Sequence, residues 1–504
     1  MRLATVVETA SGKIQGYFTG RCLLFAGIPY AAAPVGERRF RPPESPEPWR
    51  GVRNATYFGP MQPQSPSRFE VFLGPDPHVQ SEDSLRLNVW TPAADGQRRP
   101  VLVFMHGGAW VSGAGSFPLY HGEAFATRYD AVFVSLNYRL AEAGGLYLGH
   151  RDASLSASGN TALLDHIAAL SWVRDHIAAF GGDANNVTLC GQSAGANATA
   201  ALMASPRATG LFQRAICQSP SYFVRTLDDA TATTEHYLDM LRVNTIGDLQ
   251  RLPIETLLAA RGQLMRTLAQ TPRLSVWGAV IDDDVLPRHP LDAAAAGALA
   301  PVPLLIGACH DDYRPYLHLM PPGTVPQDDA AVSHFFDQLG IDGARTVALY
   351  RACYGGIAST DLFAAAMTDY RFRQPAIALA EQHAPHQPTF VYDFMWASPV
   401  LNGALGAGHT VDIPFAFDNL WTPCTPYQLG DDPPVALAEA MSAAWYAFMR
   451  TGQPEAETLP AWPPYDWDSR AVMALDTASS LLTDPAPEQR VYWAAAYGLP
   501  QRSS

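Results

Sequence analysis

The chain has 504 residues, with 48 Asp and Glu against 34 Lys and Arg, so its formal net charge is −14. Hydrophobic residues make up 48% and charged residues 16%, a core-rich composition that excludes whole-chain disorder. The acidic balance speaks against a nucleic-acid partner and against electrostatic docking on an anionic membrane, and no run of 18 apolar residues offers a transmembrane helix.

The length alone allows about three domains. No internal repeat or low-complexity linker divides the sequence, so residues 1–504 are read as one domain. Met1 to Ile14 lacks the apolar stretch of a signal peptide. The six cysteines (Cys22, Cys190, Cys217, Cys309, Cys353 and Cys424) are scattered, with no CxxC spacing. That is too sparse for a disulfide scaffold or a zinc ribbon, and fits free thiols in a reducing, cytoplasmic setting.

Short apolar runs bounded by Gly, Pro or Asp recur at Val101–Met105, Ala131–Leu136, Val187–Cys190, Val302–Ile306 and Thr389–Phe394. Such runs suit strands buried on both faces of a parallel sheet. Helical spacing lies between them. Leu163, Ile167, Leu170, Val173 and Ile177 predict a helix over 162–180, closed by Gly181-Gly182. Leu437, Met441, Trp445 and Phe448 predict another over 435–450, ended by Gly452. The alternation implies an α/β fold, a mostly parallel central sheet with helices on both faces. The irregular stretches 62–80 and 308–328 read as long insertions at the catalytic end.

The sharpest signal is Val187-Thr-Leu-Cys-Gly-Gln-Ser-Ala-Gly-Ala196. A bare G-x-S-x-G would turn up roughly 0.2 times by chance in a chain this long. Here, however, a strand leads in and a helix of small residues leads out, the context of a nucleophile elbow. Ser193 would then sit in a strained turn, its Oγ lifted above the sheet near the positive end of a helix dipole. The plainer alternative is an ordinary Gly-rich turn. Upstream, the strand Val101–Met105 runs into His106-Gly107-Gly108-Ala109. Glycine there lets backbone N–H groups approach a developing oxyanion. Two independent motifs in the expected order favour a serine hydrolase.

With these residues in hand the chain resembles the type-B carboxylesterase (carboxylesterase/lipase, cholinesterase-like) family of the α/β-hydrolase fold, over nearly its whole length. Phe25-Ala-Gly-Ile-Pro-Tyr-Ala31 and Glu82-Asp-Ser-Leu-Arg-Leu-Asn-Val-Trp90 are similar to its two signatures. Asn137-Tyr-Arg139, Ala179-Phe-Gly-Gly-Asp183 and Trp462-Pro-Pro-Tyr465 also fit. Gly191-Gln-Ser193, Cys217-Gln-Ser-Pro220 and the segment Asn402 to His409 resemble bacterial members that include a phenmedipham (carbamate) hydrolase.

The resemblance implies the remaining site residues. The family's acid falls on Asp312, in Gly307-Ala-Cys-His-Asp-Asp312, with Asp311 as the fallback; the family usually has Glu there. Its histidine falls on His409, whereas His106 and His310 are read as structural. The oxyanion donors fall on Gly108, Ala109 and Ala194. Ser219 and Asp412 match two supporting positions, which either orient His409 or simply tie loops together. The family's common first disulfide would join positions that are Met61 and Ser84 here. The residue before the nucleophile, acidic in cholinesterases, is Gln192, and 62–81 holds no Trp or Tyr to bind a choline cation.

The expectation is a serine carboxylesterase for a neutral small-molecule ester, needing no metal or organic cofactor. The pocket walls are expected near Trp110, Phe117, Tyr222-Phe223 and Trp277. One rival is the same triad acting on a carbamate or aryl amide. A remoter one is a non-catalytic adhesion-type binding protein, which retention of Ser193, His409 and a carboxylate argues against.

Overall fold

The structure is a computed structural model that describes residues 5–74, 79–221, 223–268 and 276–498. Its strands are β1 (Val6–Thr9), β2 (Gly12–Gln15), β3 (Tyr17–Phe18), β4 (Leu23–Pro29), β5 (Val52–Asn54), β6 (Arg86–Thr91) and β7 (Arg99–Met105). They continue with β8 (Val132–Leu136), β9 (Gly182–Gln192), β10 (Arg214–Gln218), β11 (Leu304–Cys309), β12 (Thr389–Phe394), β13 (Ala471–Leu475) and β14 (Ser480–Thr483).

Eleven strands form one sheet in the order β14-β13-β12-β11-β10-β9-β7-β8-β6-β4-β3. From β13 to β8 every neighbouring pair is parallel; the outer pairs are antiparallel. A small separate sheet holds β1, β2 and β5. The fold is that of an α/β hydrolase.

The two-residue period of β7 shows why its run is unbroken. Val101, Val103 and Met105 enter one core cluster and Leu102 and Phe104 the other, so both faces are buried. The helix Thr161–His176 covers the first face with Leu163, Leu170 and Val173, and Val435–Thr451 covers the second with Met441, Trp445 and Phe448. Gly181 and Gly452 end these helical segments at φ 81° and 83°, left-handed values that glycine adopts without strain.

Element boundaries moved for local reasons. The strand expected from Val302 begins at Leu304, because Pro303 has no N–H to give to the ladder. The run Val187–Cys190 grows to Gly182–Gln192. The stretch 308–328, expected to be irregular, contains the helix Arg314–Leu319, with Pro315 in its first turn where a missing N–H costs nothing. The short helix Glu70–Leu73 lies within 62–80. No helix among the described residues is long and apolar enough to cross a membrane.

Candidate active site

Parallel pairing brings the carboxyl ends of β7, β9, β10 and β11 to one level. Met105 pairs with Gly191, Gln192 with Gln218, and Gln218 with Gly307. The loops that follow therefore open side by side, where open α/β sheets bind ligands. They carry Gly108 and Ala109, Ser193, Ser219, and Asp312. His409 comes from the segment after β12.

Ser193 sits between β9 and the helix Ala194–Met203 at φ 55° and ψ −121°. A non-glycine residue there is strained, and the turn is held by Ser193 N–H donating to the Gln218 carbonyl at 2.9 Å and by Ser193 O accepting from Asn197 N–H at 2.9 Å. The flanking glycines are steric necessities. A Cβ on Gly191 would lie 2.1 Å from Gly195 O, and one on Gly195 would lie 2.0 Å from Met105 O. Ala194 opens the helix, so its N–H has no acceptor within that helix. Gly108 and Ala109 have φ of 112° and 54°, which turns the backbone of their loop sharply beside Ser193.

His409 Nδ1 donates to Asp312 Oδ1 at 2.6 Å. The other Asp312 oxygen accepts from Ser219 Oγ and Cys309 N–H, each at 2.9 Å. Asp312 is fully buried. Asp311 instead pairs with Arg314 at 3.1 Å and accepts from Ala407 N–H. His106 stacks on Tyr138 at 4.4 Å, and His310 bonds Asp393 at 2.8 Å. Asp412 does not bond His409. Its Oδ2 accepts from Gln218 Nε2 at 2.9 Å and Tyr392 OH at 3.0 Å, and burial, with Asp312 nearby, pushes its carboxyl above the usual range.

Ser193, His409, Gly108 and Ala109 line one cavity of about 380 Å³. Its aromatic walls are Phe69, Phe117, Tyr120, Tyr313 and Tyr316. This corrects the expected walls. Phe117 is there, but Trp110 turns inward onto Tyr138 and His166, and Trp277 packs on Tyr237 in the core. Phe223 does not line the cavity; its ring lies 5.5 Å from the Arg371 guanidinium. Tyr222 lies outside the described residues. Among the described residues no group of three or more His, Cys, Asp or Glu side chains is arranged to hold a metal ion.

The chain matches the carboxylesterase family over residues 3–493. It belongs to that family. It is 36% identical to the para-nitrobenzyl esterase of Bacillus subtilis (strain 168), covering 96% of this chain and 97% of that one. It is 34% identical to the phenmedipham hydrolase of Pseudarthrobacter oxydans, covering 96% and 98%. A crystal structure of a Geobacillus stearothermophilus carboxylesterase at pH 6.2 superposes with a TM-score of 0.86 at 37% identity, covering 97% of this chain and 100% of that one. This carboxylesterase is therefore a carboxylic ester hydrolase related to bacterial type-B enzymes.

One part of the carboxylesterase site had no motif to mark it. Phe372 lies 4.7 Å from the His409 ring, and Tyr316 and Phe69 lie at 5.6 and 6.0 Å. Phe372 sits on a π-helical turn, Asp369–Arg373, between the helices Ser359–Thr368 and Gln374–His383. Such a turn shifts the helical register by one residue, and these turns gather at functional sites. The only sequence hint was Pro375 inside a helical pattern.

Proposed function

We propose that this carboxylesterase hydrolyses neutral carboxylic esters through an acyl-enzyme on Ser193. The observation that carries the reading is the 2.6 Å bond from His409 Nδ1 to a buried Asp312, beside a cavity that Ser193 also lines. In this reading Ser193 Oγ attacks the ester carbonyl and its proton passes to His409 Nε2. Asp312 keeps the Nδ1–H tautomer and stabilises the imidazolium. The N–H groups of Gly108, Ala109 and Ala194 hold the oxyanion, each worth about 3 kcal/mol of transition-state stabilisation. His409 then gives its proton to the leaving alcohol. Water, deprotonated by His409, releases the acid and restores Ser193.

A second reading, the same triad acting on a carbamate or aryl amide, is favoured by the 34% identical relative named phenmedipham hydrolase. The whole chain working as one domain, and a cytoplasmic location, belong to the proposal as well. The location is supported by six free cysteines. It is also supported by Met61 and Ser84 at the family's usual bridge positions, where Ser84 Oγ bonds Gln62 Oε1 at 2.7 Å instead. The test is Ser193→Ala assayed on p-nitrophenyl acetate. A loss of about 10⁶-fold in kcat is expected, and more than a few per cent of residual turnover in protein free of host esterases would overturn the assignment.

A further inference from the structure

In the reaction proposed for this site, His409 becomes a cation each time it takes a proton from Ser193 or from water. The residue is only 4% exposed, so little solvent reaches that charge. Asp312 holds the Nδ1 edge of the ring. Phe372 covers a face. The two ring centroids lie 4.7 Å apart with the planes inclined by 35°, so the rings meet through their faces and not edge to edge. The face of a benzene ring is negative and attracts a cation within about 6 Å of its centre. Tyr316 and Phe69 stand farther from the imidazole and line the cavity. Phe372 is 1% exposed and does not line it, so its partner is the imidazole and not the substrate.

The backbone that carries Phe372 is tied to the loop that carries Asp312. Tyr313 N–H donates to Thr368 Oγ1 at 3.0 Å, and the Arg373 guanidinium donates to the His310 carbonyl at 2.5 Å. Thr368 and Arg373 bracket Phe372, and His310 and Tyr313 bracket Asp312. The aromatic face and the carboxylate are thus set against His409 by one framework, built around the π-helical turn.

We propose that Phe372 is a positioning residue that acts through His409: its ring face keeps the imidazole in line with Asp312 and stabilises the imidazolium as it forms. The proposal rests on His409 being the base of the esterase reaction. The attraction is weak for neutral imidazole and stronger for imidazolium, so it lowers the barrier more than the ground state. Acylation and deacylation both pass through an imidazolium, so kcat and kcat/KM depend on the ring alike and KM does not. Arg371, at 5.9 Å from the Phe372 ring, stands near the outer limit of such attraction, and His409 is the closer cation when it is charged.

The experiment replaces Phe372 with 4-fluoro-, 3,5-difluoro- and 3,4,5-trifluorophenylalanine. These keep the ring nearly the same in outline and drain its face of negative charge step by step. On p-nitrophenyl acetate, kcat and kcat/KM should fall together along the series, by about fivefold with three fluorines. KM should stay within about twofold of wild type, as expected when an interaction made only in the transition state is removed. Phe372→Leu, apolar but without a π face, should lose at least as much, again in kcat. A kcat that is flat along the fluorine series, or losses that appear in KM alone, would reduce Phe372 to packing and overturn the proposal, with the esterase reading untouched. A wild-type protein inert toward the ester, or wild-type turnover in His409→Ala, would overturn the esterase reading and this proposal with it.

Discussion

Ser219 Oγ donates to the one Asp312 oxygen that His409 leaves free, at 2.9 Å against 2.6 Å for the histidine contact. Ser219 follows β10 and Asp312 follows β11, neighbouring parallel strands, so sheet pairing itself sets this contact. Cys309 N–H donates to the same oxygen. The carboxylate is thus held from two sides and cannot rotate away from the imidazole.

Ser219→Ala removes one of those two donors. A hydrogen bond to a charged group contributes about 1.5–3 kcal/mol, so kcat should fall by roughly tenfold to a hundredfold. KM should move little, since the cavity walls stay in place. Steady-state kinetics beside a thermal melt will separate orientation from stability. A lower Tm with unchanged kcat would reduce Ser219 to a loop tie.

Asp312 and its neighbour Asp311 make a sharper comparison. Asp312 bonds His409, whereas Asp311 bonds Arg314 and Ala407 N–H. Asp312→Asn should cost about 10⁴-fold in kcat by favouring the wrong histidine tautomer. Asp311→Asn should cost far less, because it disturbs only a half-exposed ion pair and a turn. The reverse ranking would move the acid one residue upstream.

The parts of the fold written in the sequence were those where one local rule dominates. Buried parallel strands read as unbroken apolar runs because both faces are covered, and β7 and β12 appear with nearly the bounds expected. The elbow was legible because close backbone approach forces Gly191 and Gly195. The pocket walls were not. Side-chain direction after a left-handed turn decides whether an aromatic lines the cavity, and Trp110, at φ 63°, turns into the core. Phe372 was hidden for a similar reason. Its approach to His409 depends on a register shift within a helix, marked in the sequence only by Pro375, which also suits the first turn of an ordinary helix.

His166 gives the pH dependence of folding stability. It is fully buried on the helix Thr161–His176, near Tyr138 and Trp110. Burial, and secondarily the charge of His106, lowers its pKa from 6.5 to about 3. The folded state therefore binds fewer protons than the unfolded one between those values. The contribution is fully present above pH 6.5 and is lost as pH falls toward 3, at up to about 1.4 kcal/mol per pH unit. His166→Phe should flatten that slope between pH 6 and 4.5 in urea melts. An unchanged slope would assign the acid sensitivity to other groups.

The substrate preference follows from charge at the cavity. Aromatic rings line it, and such rings can attract a cation. Here, however, the Arg371 guanidinium lies 5.9 Å from both the Tyr316 and the Phe372 ring, so a positive charge already faces two of the rings around His409. Gln192, beside the nucleophile, is neutral, and Phe69 rather than Trp projects from the 62–80 stretch into the cavity. Arg68 and Glu70 stand on the cavity wall with opposite charges, so a quaternary ammonium would meet Arg371 behind two of the rings and no carboxylate from the residue before Ser193. An uncharged acyl or aryl group meets only favourable burial, about 0.8 kcal/mol per methylene until a wall is reached. We expect p-nitrophenyl esters of short or medium acyl chains to exceed acetylcholine at least about 100-fold in kcat/KM, or about 2.7 kcal/mol of transition-state binding. Choline's neutral isostere, 3,3-dimethylbutyl acetate, controls for leaving-group reactivity. Comparable turnover of acetylcholine and that isostere would sink the charge argument, and recovery of acetylcholine activity in Arg371→Leu would identify the guanidinium as its cause.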